Sequence, residues 1–321
     1  MEIIQKRLKG ENKMNNVSAI LCGDIHVRAT NPTARTSDYL EDLKVKLKFI
    51  SDLQARYNCP ILDAGDLLND WKISPELTMW TMDNLPKQFH TVIGNHDMAE
   101  RNFKYWEKGS LNLLKRFGTV DVLFEKVFID SNENEFTVYG GHYGTDCQFD
   151  IPENNTNPRV LVLHEMITNS KEYKPFETAN ALDFLKSLDG AFDLVVSGHN
   201  HQHFTVEDSG CKLVNAGSLM RSTVTQKDYE PQVHLWNAET NEIESIKVPI
   251  KLNVIDTTHI ENKKEKDERE KRIHELADGL NNTTKVKAID FPKKVDEYII
   301  ETKPLDGVKK WLNKWIGETN K

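Results

Sequence analysis

The sequence predicts an α/β fold in which two mixed β-sheets pack face to face with helices outside, followed by a small α+β appendage. Three observations lead there. Short β-branched and aliphatic runs alternate with helical periodicities through the first part of the chain. A mostly β stretch follows, which suits layered sheets covered by helices. Five polar phrases, Gly-Asp24-Ile-His26, Gly-Asp66, Gly-Asn95-His96-Asp97, Leu-His164-Glu165 and Gly-His199-Asn200-His201, each come just after such a run. The carboxyl edge of an open α/β sheet is where strands deliver functional side chains.

Taken in order, 17–22 is a buried strand that ends at the first phrase. Residues 39–57 have helical periodicity, with Leu43, Leu47, Ile50 and Leu53 on one face. Residues 60–64 form the strand that delivers Asp66. Pro75 takes the first position of a helix running to about Leu85. Residues 90–93 deliver Asn95 and His96, and 111–117 is a short helix. Residues 120–139 read as strands broken by a turn at 131–135. Residues 160–163 deliver His164, 169–175 is a loop, 179–188 a helix, and 193–197 deliver His199 and His201. Residues 204–207, 212–215, 232–236 and 243–248 read as strands of a second sheet. The character changes after Leu252: 261–280 is a highly charged helix with i,i+4 pairs, 285–302 has strand-like portions, and 305–317 is an amphipathic helix. The resulting division is an N-terminal extension at 1–16, with Met14 a second candidate start, a catalytic domain at 17–252, and a capping or partner-binding region at 253–321.

A chain of 321 residues can bury a full core. No apolar run is long enough to span a bilayer and the N-terminus lacks a secretory segment, so the expectation is a cytoplasmic protein with no membrane partner. Cys22, Cys59, Cys147 and Cys211 are scattered and read as reduced thiols. A formal net charge of −8 disfavours non-specific attraction of the whole surface to nucleic acid, without excluding a local basic track.

The five phrases supply oxygen and nitrogen donors for a pair of cations. Asp66 stands alone after its strand and is the natural bridge, because two close ions need a shared carboxylate. Asp24, His26 and His201 are assigned to one ion, and Asn95, His164 and His199 to the other. Residues i and i+2 share one side of an extended chain, which suits Asp-x-His and His-x-His. The donor mixture suits Mn, Fe, Zn, Co or Ni better than Mg or Ca. Such a pair clamps phosphoester oxygens and activates water, so the expected reaction is metal-assisted phosphoester hydrolysis. His96 is read as a catalytic group that donates a proton to the leaving oxygen or stabilises the transition state, and Asp97 as the group that orients it. His142 is either a turn residue or a substrate contact. Arg221 either pairs structurally or binds phosphate. His90 and His203 are read as surface strand residues.

At these five phrases the chain resembles the calcineurin-like metallophosphoesterase superfamily, over roughly 17–248. The resemblance implies a four-layered α/β/β/α fold, the ligands assigned above and a catalytic His96. Within that superfamily the chain is most similar to SbcD-type DNA repair exonuclease subunits. Gly65-Asp66-Leu67-Leu68 is followed by Ser74-Pro75, Gly94-Asn95-His96-Asp97 ends in Asp, and Gly217-Ser218 with Arg221 follows the last histidines. Asn69 departs from the pattern, since archaeal and eukaryotic members carry His there. The resemblance implies a Mn-dependent DNA exonuclease or endonuclease acting in DNA repair or recombination with an SbcC-like coiled-coil ATPase. The alternative is a small-molecule phosphodiesterase or nucleotide phosphatase. Val308, Trp311, Leu312, Trp315 and Ile316 form an apolar stripe opposite Lys309, Lys310 and Lys314, suited either to a partner coiled coil or to packing on its own domain. Leu77, Trp80 and Leu85 are candidates for a homodimer contact or for core.

Overall fold

The computed structural model describes Met14, 16–124, 126–132, 134–146, 149–151, 156–169, 178–258, Arg269, Arg272, 291–302, 306–310 and Lys314. The chain divides into two compact units, Met1–Asp256 and Thr257–Lys321.

The first unit is built on two six-stranded sheets. In one, β1 (Ala19–Cys22), β2 (Ile61–Asp63), β3 (Phe89–Thr91) and β4 (Asp121–Val122) run parallel. In the other, β6 (Asn134–Gly141), β7 (Arg159–His164), β10 (Leu194–Gly198) and β12 (Cys211–Asn215) run parallel. β5 (Val127–Ser131) and β11 (Phe204–Asp208) are antiparallel at its edges. Alternation along the strands builds three layers of contact. Ala19, Leu21, Leu62, Val92, Val160, Val162, Val196 and Trp236 interdigitate between the sheets. Ile20 and Ile61 face the other way, against Leu43, Leu47 and Ile50 of α1 (Tyr39–Tyr57) and Leu77 of α2 (Pro75–Asn84). Leu161, Leu163 and Val195 pack under Ala181 and Leu185 of α4 (Ala181–Ser187). This is the four-layered α/β/β/α arrangement, with period-2 strands supplying two apolar faces each.

The helices start where capping chemistry places them. Asp38 accepts from Leu40 N and Glu41 N at the head of α1, and Ser74 accepts from Leu77 N ahead of Pro75 in α2. Asn180 caps α4, so that helix begins at Ala181 rather than at 179. A third helix, α3 (Ser110–Arg116), covers the same sheet as α1 and α2, through Leu111 and Leu114. Among the described residues, two short strands, β8 (Ile167–Thr168) and β9 (Ala179–Asn180), pair parallel. The remainder of the expected 169–175 loop beyond Asn169 lies outside the described residues.

Two expectations are corrected. The four late strands do not share one sheet. β11 and β12 extend the β10 sheet, whereas β13 (Gln232–Asn237) and β14 (Glu242–Lys247) cross to the other, β13 pairing antiparallel with β1 through Ala19↔Trp236. Trp236 fills the space between the sheets while Val233 and Leu235 face α1, so β13 has two apolar faces and takes an interior position. In the second unit, Phe291–Thr302 is a helix, α5, and not strand. Val295 and Ile299, one turn apart, are buried while Ile300 is exposed, and this 3.6-residue period overrides the β preference of Val and Ile. Residues 306–310 are helical, with Val308 half-buried and Lys309 and Lys310 exposed. Most of the charged helix expected at 261–280, the residues 285–290, and Trp311, Leu312, Trp315 and Ile316 lie outside the described residues. Leu77 and Leu85 are buried in the core of the first unit and Trp80 packs against it. Cys22, Cys59 and Cys211 are buried free thiols, and Cys147 lies outside the described residues.

Candidate metal centre

The seven expected donors converge. Asp24, His26, Asp66 and Asn95 come from the loops after β1, β2 and β3; His164 ends β7, and His199 and His201 follow β10. Four non-glycine residues of these turns have positive φ: Asp24 (48°), His26 (52°), Asp66 (53°) and His199 (74°). Such backbone is strained and persists where the surroundings over-determine it, typically at functional sites. Here backbone hydrogen bonds enforce it: Asp24 N donates to Gly65 O (3.0 Å), His26 N to Asp66 O (3.0 Å) and Leu219 N to Asp24 O (3.3 Å). Lys46, buried on α1, donates Nζ to Leu219 O at 2.6 Å and ties that loop to the helix layer.

Donor atoms face one another in two groups with Asp66 common to one side of each. His26 Nε2 and His201 Nε2 lie 3.1 Å apart, with Asp24 Oδ1 3.9 and 3.8 Å from them. Asp66 Oδ2 is 3.8 Å from His26 Nε2 and 3.5 Å from His164 Nε2. His164 Nε2 is 3.2 Å from Asn95 Oδ1. The sets Asp24–His26–His201, His26–Asp66–His96 and Asp66–His164–His199 each gather ligand atoms within 4.8 Å of one another. Two ring nitrogens aimed at each other share at most one proton, so a cation between them resolves the contact better than a hydrogen bond does. His164 Nδ1 donates to the carbonyl of Ala64 at 2.7 Å, which leaves Nε2, beside Asp66 and Asn95, as the nitrogen that can ligate a cation. The donor set therefore fits a pair of divalent cations.

The electrostatics agree. Burial pushes Asp24 up, and the imidazoles of His201 and His164 pull it back. Burial would raise Asp66 too, but His164, His26 and His96 hold its carboxyl below the usual carboxylate range. His26 is lowered to about 3 and His199 to about 4, chiefly by burial, so both rings stay neutral donors. Burial would lower His164, yet Asp66 and Asp24 push it up to about 10. The pocket asks for positive charge at this point, and a proton on His164 supplies in part what a cation supplies fully.

Close approach dictates glycine beside Asp66 and His164. A Cβ on Gly94 would sit 2.1 Å from Asp66 Oδ1 and 2.4 Å from Asp66 N, and one on Gly65, at φ +88°, would meet His164 Nδ1 at 2.9 Å.

His96 stands at the rim, its ring 5.0 Å from that of His26 and its backbone N donating to Asp66 Oδ1 at 2.8 Å. The expected partner is corrected. His96 Nδ1 is held by the main-chain carbonyl of Asn69 at 2.7 Å, and not by Asp97. Asp97 is fully buried and its two oxygens accept from Leu68 N and Gly94 N at 2.9 Å each, locking the Asp66 and Asn95 loops together. Burial and the neighbouring Asp66 push its carboxyl up to about 7.

Arg221 and His142 are engaged in structural contacts. Arg221 is buried with Nη1 on Lys227 O (2.8 Å) and Nη2 on Lys251 O (2.5 Å). His142 accepts from Ile93 N at 3.1 Å and stacks on Phe103, bracing the turn before Gly94. The next residue, Tyr143, is the one that reaches the centre, its ring 5.4 Å from His199 and 6.1 Å from His164. His203 packs at a tilt against Tyr229, and His90 bonds Asp121 at 3.1 Å; both are part of the scaffold. A cleft of about 600 Å³ opens beside His199 and His201, lined by Met166, Thr168, Asn169, Gln202 and Phe204 among others, with no Lys, Arg, Asp or Glu among the described lining residues.

A layered α/β/β/α sandwich with paired Asp, Asn and His donors at its strand ends defines a phosphoester hydrolase with a dinuclear centre. The comparison with known families agrees: the family model for calcineurin-like phosphoesterases matches residues 17–203, and the chain belongs to that family. Over 211 residues, 61% of this chain, it is 25% identical to the double-strand break repair protein MRE11 of Encephalitozoon cuniculi (strain GB-M1). The chain spans about a third of that relative, 34% of its length. Among solved structures, it is similar to an archaeal phosphodiesterase (14% identity, 72% of this chain and 99% of that one, TM-score 0.38). It is also similar to a 5'-nucleotidase-type protein of Staphylococcus aureus (13% identity, 75% of this chain and 55% of that one, TM-score 0.46). Among the described residues no helix is long and apolar enough to cross a membrane.

Proposed function

We propose that this chain is a metal-dependent DNA nuclease of the SbcD type, with Asp24, His26 and His201 holding one ion, Asn95, His164 and His199 the other, and Asp66 between them. The observation that carries the reading is Asp66, whose carboxylate reaches both His26 and His164. When bound, the two cations supply Lewis-acid polarisation of phosphoryl oxygens and a water acidic enough to attack at neutral pH. The protein's own residues do the rest. The Asn69 carbonyl can only accept, so Nδ1 of His96 carries a hydrogen; in the doubly protonated ring the second hydrogen is on Nε2, and that one passes to the leaving oxygen, leaving the neutral Nδ1–H form. Asp97, by holding two backbone amides, keeps Asp66 and Asn95 in register with each other.

Nucleic acid as substrate is supported by the similarity to MRE11. Manganese suits the mixed imidazole, carboxylate and amide donors. An SbcC-like ATPase, self-association, a role in DNA repair and a cytoplasmic location belong to the same reading, the last supported by three buried free thiols. A net charge of −8 favours a second reading, a small-molecule phosphodiesterase or nucleotide phosphatase with the same ions.

Incubation with Mn and linear DNA, in parallel with bis-p-nitrophenyl phosphate and cyclic nucleotides, separates the two. The nuclease reading expects DNA to be degraded and degradation to stop on chelation. Cyclic-nucleotide turnover with intact DNA contradicts it in favour of the second.

A further inference from the structure

Arg28 stands beside the proposed proton donor with hydrogen-bond donors to spare. The loops after β1 and β2 are laced together: Val27 N donates to Leu67 O (2.8 Å) and Asn69 N to Val27 O (3.1 Å), which sets residue 28 against residue 69. Asn69 then works in two directions. Its main-chain oxygen accepts from His96 Nδ1, and its Oδ1 accepts from Arg28 Nη1 at 3.3 Å. Arg28 Nη2 reaches Thr30 Oγ1 at 3.2 Å and Cζ lies 6.0 Å from the centre of the Tyr39 ring. Its Nε is buried without a partner among the described residues, and none of the described carboxylates pairs with the guanidinium.

A half-buried cation with no counter-charge is poorly solvated until an anion completes it. The unit's other buried guanidiniums are spent: Arg35 on Asp42 and Arg221 O, Arg221 on the carbonyls of Lys227 and Lys251. The cleft on the His199–His201 side has no cationic lysine or arginine among its described lining residues. Among the described residues, Arg28 offers positive charge to an extended substrate on the His96 side.

We propose that Arg28 is a specificity-determining residue that binds a second phosphate of the substrate, next to the scissile one on the His96 side. The site then takes a strand of consecutive phosphodiesters in preference to a single phosphodiester. This rests on the nuclease reading above. The planar guanidinium fork matches phosphate oxygens, and a charge-assisted hydrogen bond of this kind changes affinity by about tenfold or more.

The test uses the full chain loaded with Mn as wild type, Arg28→Ala and Arg28→Lys, with metal content measured for each. Substrates are bis-p-nitrophenyl phosphate, a dinucleotide with one internal phosphodiester, and a short single-stranded oligonucleotide. Oligonucleotide binding is followed across a salt series in a His96→Ala background. Arg28→Ala is expected to lose at least about tenfold more kcat/KM on the oligonucleotide than on bis-p-nitrophenyl phosphate, mostly in KM. The slope of log affinity against log salt should fall by about 0.7. Arg28→Lys should recover the slope and only part of the rate. Equal losses on all three substrates, or an unchanged salt slope, overturn the role of Arg28. Wild-type protein that hydrolyses bis-p-nitrophenyl phosphate but neither binds nor cuts the oligonucleotide overturns the nuclease reading, and this inference with it.

Discussion

His96 is the residue at which position and role separate most clearly. It touches the carboxylate of Asp66 only through its backbone amide, and its ring is oriented by the carbonyl of Asn69. On the function proposed above, His96 is a proton donor that acts on the reaction without holding an ion, although its ring also lies within ligand reach of His26 and Asp66. His96→Ala should lower turnover by about 10²- to 10⁴-fold while the protein still binds its metal, as measured by elemental analysis alongside kcat. Loss of metal together with activity would make His96 a ligand instead. The donors themselves were legible because each follows a strongly patterned strand and because Asp, Asn and His are chemically suited to transition metals. The orientation of His96 was not, since a main-chain carbonyl has no signature in sequence. Asp97, His142 and Arg221 looked chemical for their residue type alone, but their partners are backbone groups, some local and some remote in the chain: Leu68 and Gly94, Ile93, and Lys227 and Lys251. Arg28 and Tyr143 passed unnoticed because neither is a metal-donor residue type, although both lie in loops that follow strands, β1 and β6.

At the scale of elements, the site depends on how closely the β2 and β3 loops approach. Gly94 leaves no room for a side chain against Asp66, and the nearest obstacles include a backbone nitrogen that cannot swing aside. Gly94→Ala should cost about 1–3 kcal/mol in denaturant unfolding and should weaken metal uptake, because Asp66 must move. Unchanged stability with unchanged metal uptake would show the loops to be softer than their packing suggests. Local periodicity found most elements, including Tyr39–Tyr57 to its end residues. Strand partnership was harder. β14 has the pattern of any half-buried strand and β13 that of any interior one, and what sends them across to β1 is the pairing of residues such as Ala19 and Trp236, far apart in the chain. In α5, Val and Ile argue for strand by propensity, and only the spacing of Val295 and Ile299 argues for helix.

At the scale of the whole molecule, two sheets bring loops from opposite ends of the first unit's sequence to one edge, so a dinuclear site is assembled only when the sandwich closes. The left-handed turns at Asp24, His26, Asp66 and His199 and the buried carboxylates at its centre are costs that bound cations offset. The most direct test is equilibrium dialysis of wild type and Asp66→Asn against Mn, with the ions per chain counted by mass spectrometry. Two ions per wild-type chain are predicted, with binding at both positions weakened once the shared carboxylate is gone. A wild-type chain that takes up no transition metal, or an Asp66→Asn chain that binds two ions as tightly as wild type, would contradict the account.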